Sequence, residues 1–71
     1  MAVRVSVTSI EDLGRDGGFY DGVAVIDIKS DVGSLTIRVP FEDAPTLDEA
    51  AKIALAHVKV FAVELQNAIV V

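Results

Sequence analysis

The segment from about residue 47 to residue 67 most constrains the fold, because it is long and contains neither glycine nor proline. Thr46 and Glu49 precede it with the spacing of a capping box, and Asp48 places a negative charge in the first turn, where the helix dipole favours it. The segment therefore predicts a helix over about 47–67. The valines of HVKVFAVEL, residues 57–65, also suit a strand, but no turn residue comes before them, which favours one continuous helix.

Three runs rich in β-branched residues precede this segment, over about residues 2–10, 20–29 and 34–41. In each run apolar and polar side chains alternate, as in a half-buried strand. Pro40 has no amide donor, so the third strand should lie at a sheet edge or end there. We predict an α+β fold in two layers: a three-stranded antiparallel β-meander covered by one long C-terminal α-helix (β-β-β-α), forming a single domain over residues 1–71.

The stretch EDLGRDGGFYDG, residues 11–22, separates the first two runs and is rich in carboxylates and glycines. Its Asp16-Gly17 step predicts a two-residue hairpin turn, because a type I′ turn needs positive φ at both central positions. This turn places Val7 opposite Ile26 and Val5 opposite Ile28. Both apolar pairs then lie on one face of the sheet, which supports the register.

The same register creates an unfavourable pair, Asp12 opposite Asp21, and it places Glu11 on the core side. Like charges that face each other across two strands are destabilising. We therefore expect either a β-bulge after Thr8, which would turn Ile10 inward, or a looser loop.

The second turn, residues 31–34, allows two interpretations. A four-residue loop places Ile28 opposite Ile37 and makes Asp27 a partner of Arg38 on the outer face. A two-residue loop at residues 31–32 also agrees with the pattern of facing side chains. The sequence leaves both open.

Composition bounds the possible functions of the chain, which has 71 residues, 52% of them hydrophobic, and a net charge of −5. The absence of cysteine excludes disulfides and zinc-thiolate sites. The six basic residues are scattered, which argues against nucleic acid as a partner. No stretch resembles a signal peptide or a membrane span, so we expect a cytoplasmic protein. A domain this small usually needs a disulfide, a metal or a partner subunit, and the partner subunit is favoured.

Two features of the sequence carry side chains suited to chemistry, and neither predicts an enzyme. The carboxylates of residues 11–21 are ligands suited to calcium or magnesium, but their spacing does not match an EF-hand, and the glycines match no phosphate-binding fingerprint. His57 is the only histidine, and we interpret it as a residue at the rim of an interface that could respond to pH, since imidazole titrates near neutrality. We predict no catalytic residue, no cofactor and no metal site.

The predicted helix has two apolar faces. One face should cover the sheet, and it comprises Leu47, Ala51, Ala54, Val58, Phe61, Ala62 and Leu65. The second face carries Ile53, Ala56, Val60 and Val63. Because one helix on an open sheet can bury only one face, we predict a homo-oligomer, most simply a dimer, with an interface formed by Ile53, Ala56, His57, Val60, Val63 and Glu64.

Three alternatives to this dimer stay open. The tail, residues 68–71, could fold over the second face, although it could also extend the helix or pair as a strand in another subunit. A different protein could occupy the same face. The exposed edges of the first and third strands offer a further route of association.

Two phrases of the sequence, DGGFY at the first hairpin and TLDEAAKIALAHV at the helix start, resemble the HicB-type antitoxin domain. That family has a three-stranded meander followed by a helix, and the helix begins with a similar Thr-Leu-Glu-Glu-Ala segment. The resemblance covers about half of the chain. The family's Pro-Asp-Leu-Pro-Gly segment is missing, with VIDIKSDVG in its place, and its usual DNA-binding extension has no counterpart here. The resemblance implies, as an alternative function, a module that binds and masks a heterologous partner protein.

Overall fold

The computed structural model describes residues 2–69 and confirms the predicted β-β-β-α fold. Strands β1 (Arg4–Asp16), β2 (Phe19–Ser30) and β3 (Gly33–Ala44) are followed by helix α1 (Leu47–Ala68). The sheet is antiparallel with the order β1-β2-β3, so β1 and β3 are its edges, as Pro40 in β3 predicted. Each strand continues further than the alternation of side chains indicated.

The first turn lies at Gly17 and Gly18, which have φ values of 60° and 87°. Asp16 pairs with Phe19 across the turn, so the predicted Asp16-Gly17 turn is wrong by one residue. The physical reason is that both central residues of this turn need positive φ, and two glycines adopt it without a steric penalty.

Two irregularities in β1 restore the register that the shifted turn would otherwise lose. The pairing with β2 shifts between Glu11 and Gly14 and again between Val7 and Ser9. Each bulge adds one residue to β1. After both, Val7 lies opposite Ile26, as predicted.

The bulge next to Thr8 also confirms the predicted position of Ile10, which lies opposite Ala24 and packs against the core. The displaced turn places Gly14, rather than Asp12, opposite Asp21, before the other bulge begins. The repulsive pair of carboxylates is thereby avoided.

The second turn has the two-residue form, because Ser30 pairs with Gly33. Ile28 therefore faces Leu35, and the four-residue alternative is wrong. Asp27 faces Thr36, whose hydroxyl donates a hydrogen bond of 2.8 Å to the Asp27 carboxylate.

The outer face of the sheet carries an ion pair that connects the two edge strands. Arg38 Nε of β3 donates to Glu11 Oε1 of β1 at 2.8 Å, so the pair reaches across β2. The hydrogen bond to Glu11, together with the charge of its carboxylate, raises the pKa of the Arg38 guanidinium. Both side chains are exposed, and an exposed pair contributes little to stability.

The helix begins as the capping box predicted. Thr46 has an extended backbone, and its hydroxyl oxygen accepts a hydrogen bond of 3.1 Å from the Glu49 amide. The Glu49 carboxylate contacts Lys52 Nζ at 3.4 Å instead of returning to the Thr46 amide. The helix then runs without interruption to Ala68, so the alternative strand at residues 57–65 is wrong.

The core lies between the helix and the inner face of the sheet, and the helix rests mainly on β2 and β3. Its buried residues within the described part of the chain are Ala24, Ile26, Val39, Phe41, Ala44, Ala50 and Ala54. Among these, Ile26 is the only side chain larger than alanine that is fully buried. The core is therefore small and rich in alanine.

The helix face that meets the sheet differs from the predicted one. Ala50, which the prediction omitted, is fully buried, and Ile53 of the second face also packs against the core. The predicted core residues Leu47, Phe61, Ala62 and Leu65 are instead exposed. Ala54 and Val58 of the predicted face do pack in the core, so the contact with the sheet is shifted toward Ala50 and Ile53 and lies mainly in the first half of the helix. Phe61 lies on the same side as Ala50 and Ala54, so its exposure shows that the second half of the helix covers less of the sheet.

Candidate protein interaction surface

The second half of the helix is apolar on two sides and largely uncovered. Val60 and Val63 are each 57% exposed on one side of the helix. On the side toward the sheet, Phe61 is 38% exposed and Leu65 is 41% exposed. A helix with apolar side chains on two sides is normally buried on two sides. This part of the molecule therefore presents an unsatisfied apolar surface.

The predicted interface residues occupy one continuous side of the helix. Ile53 is half-buried against the core, whereas Ala56, Val60 and Val63 are exposed. We call these four residues the helix ridge. The other two predicted interface residues, His57 and Glu64, are exposed and lie between the helix ridge and β3.

A groove separates this side of the helix from β3, and we call it the edge groove. One part has a volume of about 490 Å³ and is lined by Pro40, Phe41, Glu42, Ile53 and His57. The adjoining part, of about 280 Å³, is lined by Ile37, Arg38, Val39, Pro40, His57, Val60, Phe61 and Glu64. Because Pro40 and His57 line both parts, the groove continues along β3 and joins the helix ridge.

The sequence did not reveal the β3 side of this surface. Pro40 predicted an edge strand, but only the placement of the helix beside β3 brings Ile37 and Pro40 next to His57. An edge strand can normally extend its ladder with another strand, and Pro40 removes one donor from the middle of β3. Pro40 therefore makes this edge a poorer template for a further strand than an edge that has all of its donors.

The chain exposes more surface than a folded monomer of its mass usually does. Its accessible area is 5242 Å². The usual scaling for a 7.5 kDa monomer gives about 4,250 Å², so the excess is about 1,000 Å². The radius of gyration is 13.5 Å, whereas a compact domain of this length has about 11 Å. A stable dimer of standard size buries about 800 Å² on each partner, so one interface would account for most of this excess.

The carboxylates of residues 11–21 are spread along both strands of the first hairpin. Within residues 2–69, no three His, Asp or Glu side chains lie close enough together to hold a metal ion. Over the same residues, no helix has the length and apolar character needed to cross a membrane.

The start of the C-terminal tail does not cover the helix ridge. Ala68 ends the helix, and Ile69, which follows in an extended conformation, is 58% exposed. The rest of the predicted tail, residues 70–71, lies outside the described residues.

Comparison with protein families, with curated proteins and with solved structures finds no match to this chain. The resemblance to the HicB-type domain therefore rests on two short phrases and on topology, and the function that it implies stays a prediction.

Proposed function

We propose that this protein is a cytoplasmic, non-enzymatic interaction module that forms a homodimer through the helix ridge and the edge groove. The observation that carries the proposal is the two-sided exposure of apolar residues in the second half of the helix. Val60 and Val63 lie on one side, while the edge groove continues beneath them toward β3. A second copy of the chain offers the same apolar surface, as an interface with two-fold symmetry requires.

The size of the surface supports the same proposal. Burial of about 800 Å² on each subunit would bring the exposed area of the chain close to that of an ordinary small domain. The small core also supports association. Among the described residues only one large side chain is fully buried, so the chain gains little stability from its own packing. Association would add apolar burial that one copy lacks.

The charge distribution is compatible with self-association and unfavourable for nucleic acid. The helix side of the edge groove carries Glu64, while the guanidinium of Arg38 at the β3 rim lies on the outer face of the sheet, paired with Glu11. The net charge of −5 would repel phosphate backbones. We therefore propose a protein partner, and propose neither nucleic acid nor a membrane as a ligand.

The experiment is sedimentation equilibrium of the wild type and of Val60→Asp over a wide range of protein concentration. Val60 is already exposed in the single chain, so an aspartate there should leave the fold intact while placing two charges in the interface. Gln66→Asp is the matched control, because it adds the same charge on the polar side of the same helix, which carries Lys52 and Lys59. Circular dichroism verifies that all three proteins are folded.

We expect a dimer for the wild type and for Gln66→Asp, and a folded monomer for Val60→Asp. A dimer that persists in Val60→Asp would refute the helix ridge as its interface. A wild type that stays monomeric at every concentration would refute self-association. The surface would then be available to a different protein, as the HicB-type resemblance implies.

A further inference from the structure

The arrangement of charges beside the helix ridge indicates how two copies would be oriented. Resting on the homodimer proposed above, we infer that the two helices pack antiparallel, with the two-fold axis beside Val60. His57 lies three positions before Val60, and Glu64 lies four positions after it. An antiparallel pair centred there brings each His57 next to Glu64 of the partner subunit.

Charge complementarity favours this orientation over the parallel one. In a parallel pair, equivalent residues meet, so Glu64 would face Glu64 of the partner subunit and Glu49 would face Glu49 of the partner subunit. Like charges across an interface oppose association, whereas His57 can donate a hydrogen bond to a carboxylate. The antiparallel pair also places opposite ends of the two helix dipoles side by side.

The distribution of side-chain sizes along the helix ridge agrees with the same axis. Ala56 is small and exposed, so it permits close approach, and the bulkier Val63 lies on the other side of Val60. In the antiparallel arrangement, Val63 of each subunit lies beside Ala56 and His57 of its partner. The more exposed second half of each helix thereby covers the edge groove of the other subunit next to Ile53.

The chain contains no cysteine, so single cysteines can report the orientation without interference. Val60→Cys places the thiol on the proposed axis, where it meets its own copy. Asn67→Cys lies seven residues further along the helix, so its two copies would be about 21 Å apart in the antiparallel dimer. A disulfide needs Cα atoms within about 7 Å of each other. Gln66→Cys, on the polar side of the helix, is the control for random collision.

The mass of each reduced variant is first measured by sedimentation equilibrium. The variant is then oxidised at the same protein concentration. We expect a disulfide dimer for Val60→Cys and only the background level of Gln66→Cys for Asn67→Cys. A one-to-one mixture of Ile53→Cys and Asn67→Cys should form the mixed disulfide, since those positions lie equally far from the axis in opposite directions.

The outcomes separate this inference from the proposal on which it rests. Efficient disulfide formation by both Val60→Cys and Asn67→Cys, in a protein that sediments as a dimer, would show parallel helices and refute the inference alone. A dimer in which Val60→Cys stays at the control level would also refute the inference, because the axis would lie elsewhere. A monomeric mass for the reduced variants and for the wild type would refute the homodimer itself.

Discussion

Gly22 of β2 lies opposite the bulge between Glu11 and Gly14 of β1. Its replacement by alanine should destabilise the fold. Its φ is 156°, a conformation that residues with a Cβ atom rarely adopt. A Cβ atom added there would lie 2.9 Å from the carbonyl oxygen of Glu11 and 3.3 Å from the Cα atom of Leu13. Both atoms belong to the backbone, so the strand would have to move.

The expected cost of Gly22→Ala follows from this strain. A side chain held in a sparsely populated backbone conformation costs about 1–3 kcal/mol. A domain of this length has a total stability of roughly 4–11 kcal/mol, so the loss would be a large fraction of it. The reason for the cost is geometric, since the bulge brings the β1 backbone against β2 where glycine leaves room.

Gly14→Ala provides the matched comparison, because Gly14 lies in the same bulge but on the other strand. A Cβ atom there would meet the carboxylate of Asp21, which is the end of a flexible side chain and can rotate away. Replacing glycine in an ordinary conformation stabilises a protein by about 0.4–1 kcal/mol, because it restricts the unfolded chain. The rotation of Asp21 offsets part of that gain, so the net change should be close to zero.

The measurement is urea denaturation of both variants and the wild type, followed by circular dichroism at one fixed protein concentration. A fixed concentration matters because the proposed self-association would make the apparent stability depend on it. We expect a lower midpoint with an unchanged m-value for Gly22→Ala, and little change for Gly14→Ala. Equal midpoints for the two variants, or a larger loss for Gly14→Ala, would refute the close approach at this bulge.

Two further predictions concern the helix start and the core. Thr46→Ala should lower the free energy of unfolding by about 1 kcal/mol, because it removes the oxygen that accepts a hydrogen bond from the Glu49 amide. Thr46→Ser keeps a hydroxyl there and should retain most of that stability. Equal losses for the two variants in urea denaturation would show that the cap contributes nothing. Ile26→Ala should lower the free energy of unfolding by about 2–5 kcal/mol, because Ile26 is fully buried. Ile28→Ala, at a half-buried position of the same strand, should lower it less. Calorimetry that ranks the two variants in the opposite order would contradict the placement of the core.

The fold could be predicted from the sequence because its strongest signals are local. The Thr46 hydroxyl marks the helix start through its hydrogen bond from the Glu49 amide, and the alternation of apolar residues locates each strand, although not its ends. The register of β1 against β2 was correct for Val7 and Ile26 although the turn was displaced by one residue. Pairing of apolar side chains therefore determined the register, and the bulges in β1 absorbed the difference.

The sequence predictions were wrong or incomplete where a feature depends on how the helix and the sheet approach each other. Ala50 was omitted from the predicted core face because it lies to one side of the line through Leu47, Ala54 and Leu65 on which that face was centred, and its burial follows from the closeness of the helix to the sheet. The edge groove could not be predicted either, since it requires the position of the helix beside β3. The helix ridge was accessible to sequence reasoning because its spacing is a property of one helix alone.

The core described above rests on alanine, and this limits how sequence change can stabilise the protein. Ala24, Ala50 and Ala54 are all fully buried, and a larger side chain at any of them would force the helix away from the sheet. Natural selection therefore has little room to enlarge the interior. In the homodimer proposed above, the outside of the helix is a second place where apolar burial could grow, because a new methyl group there would meet solvent in one copy and a neighbour in two. The evolution of stability and the evolution of assembly would then act on the same few residues.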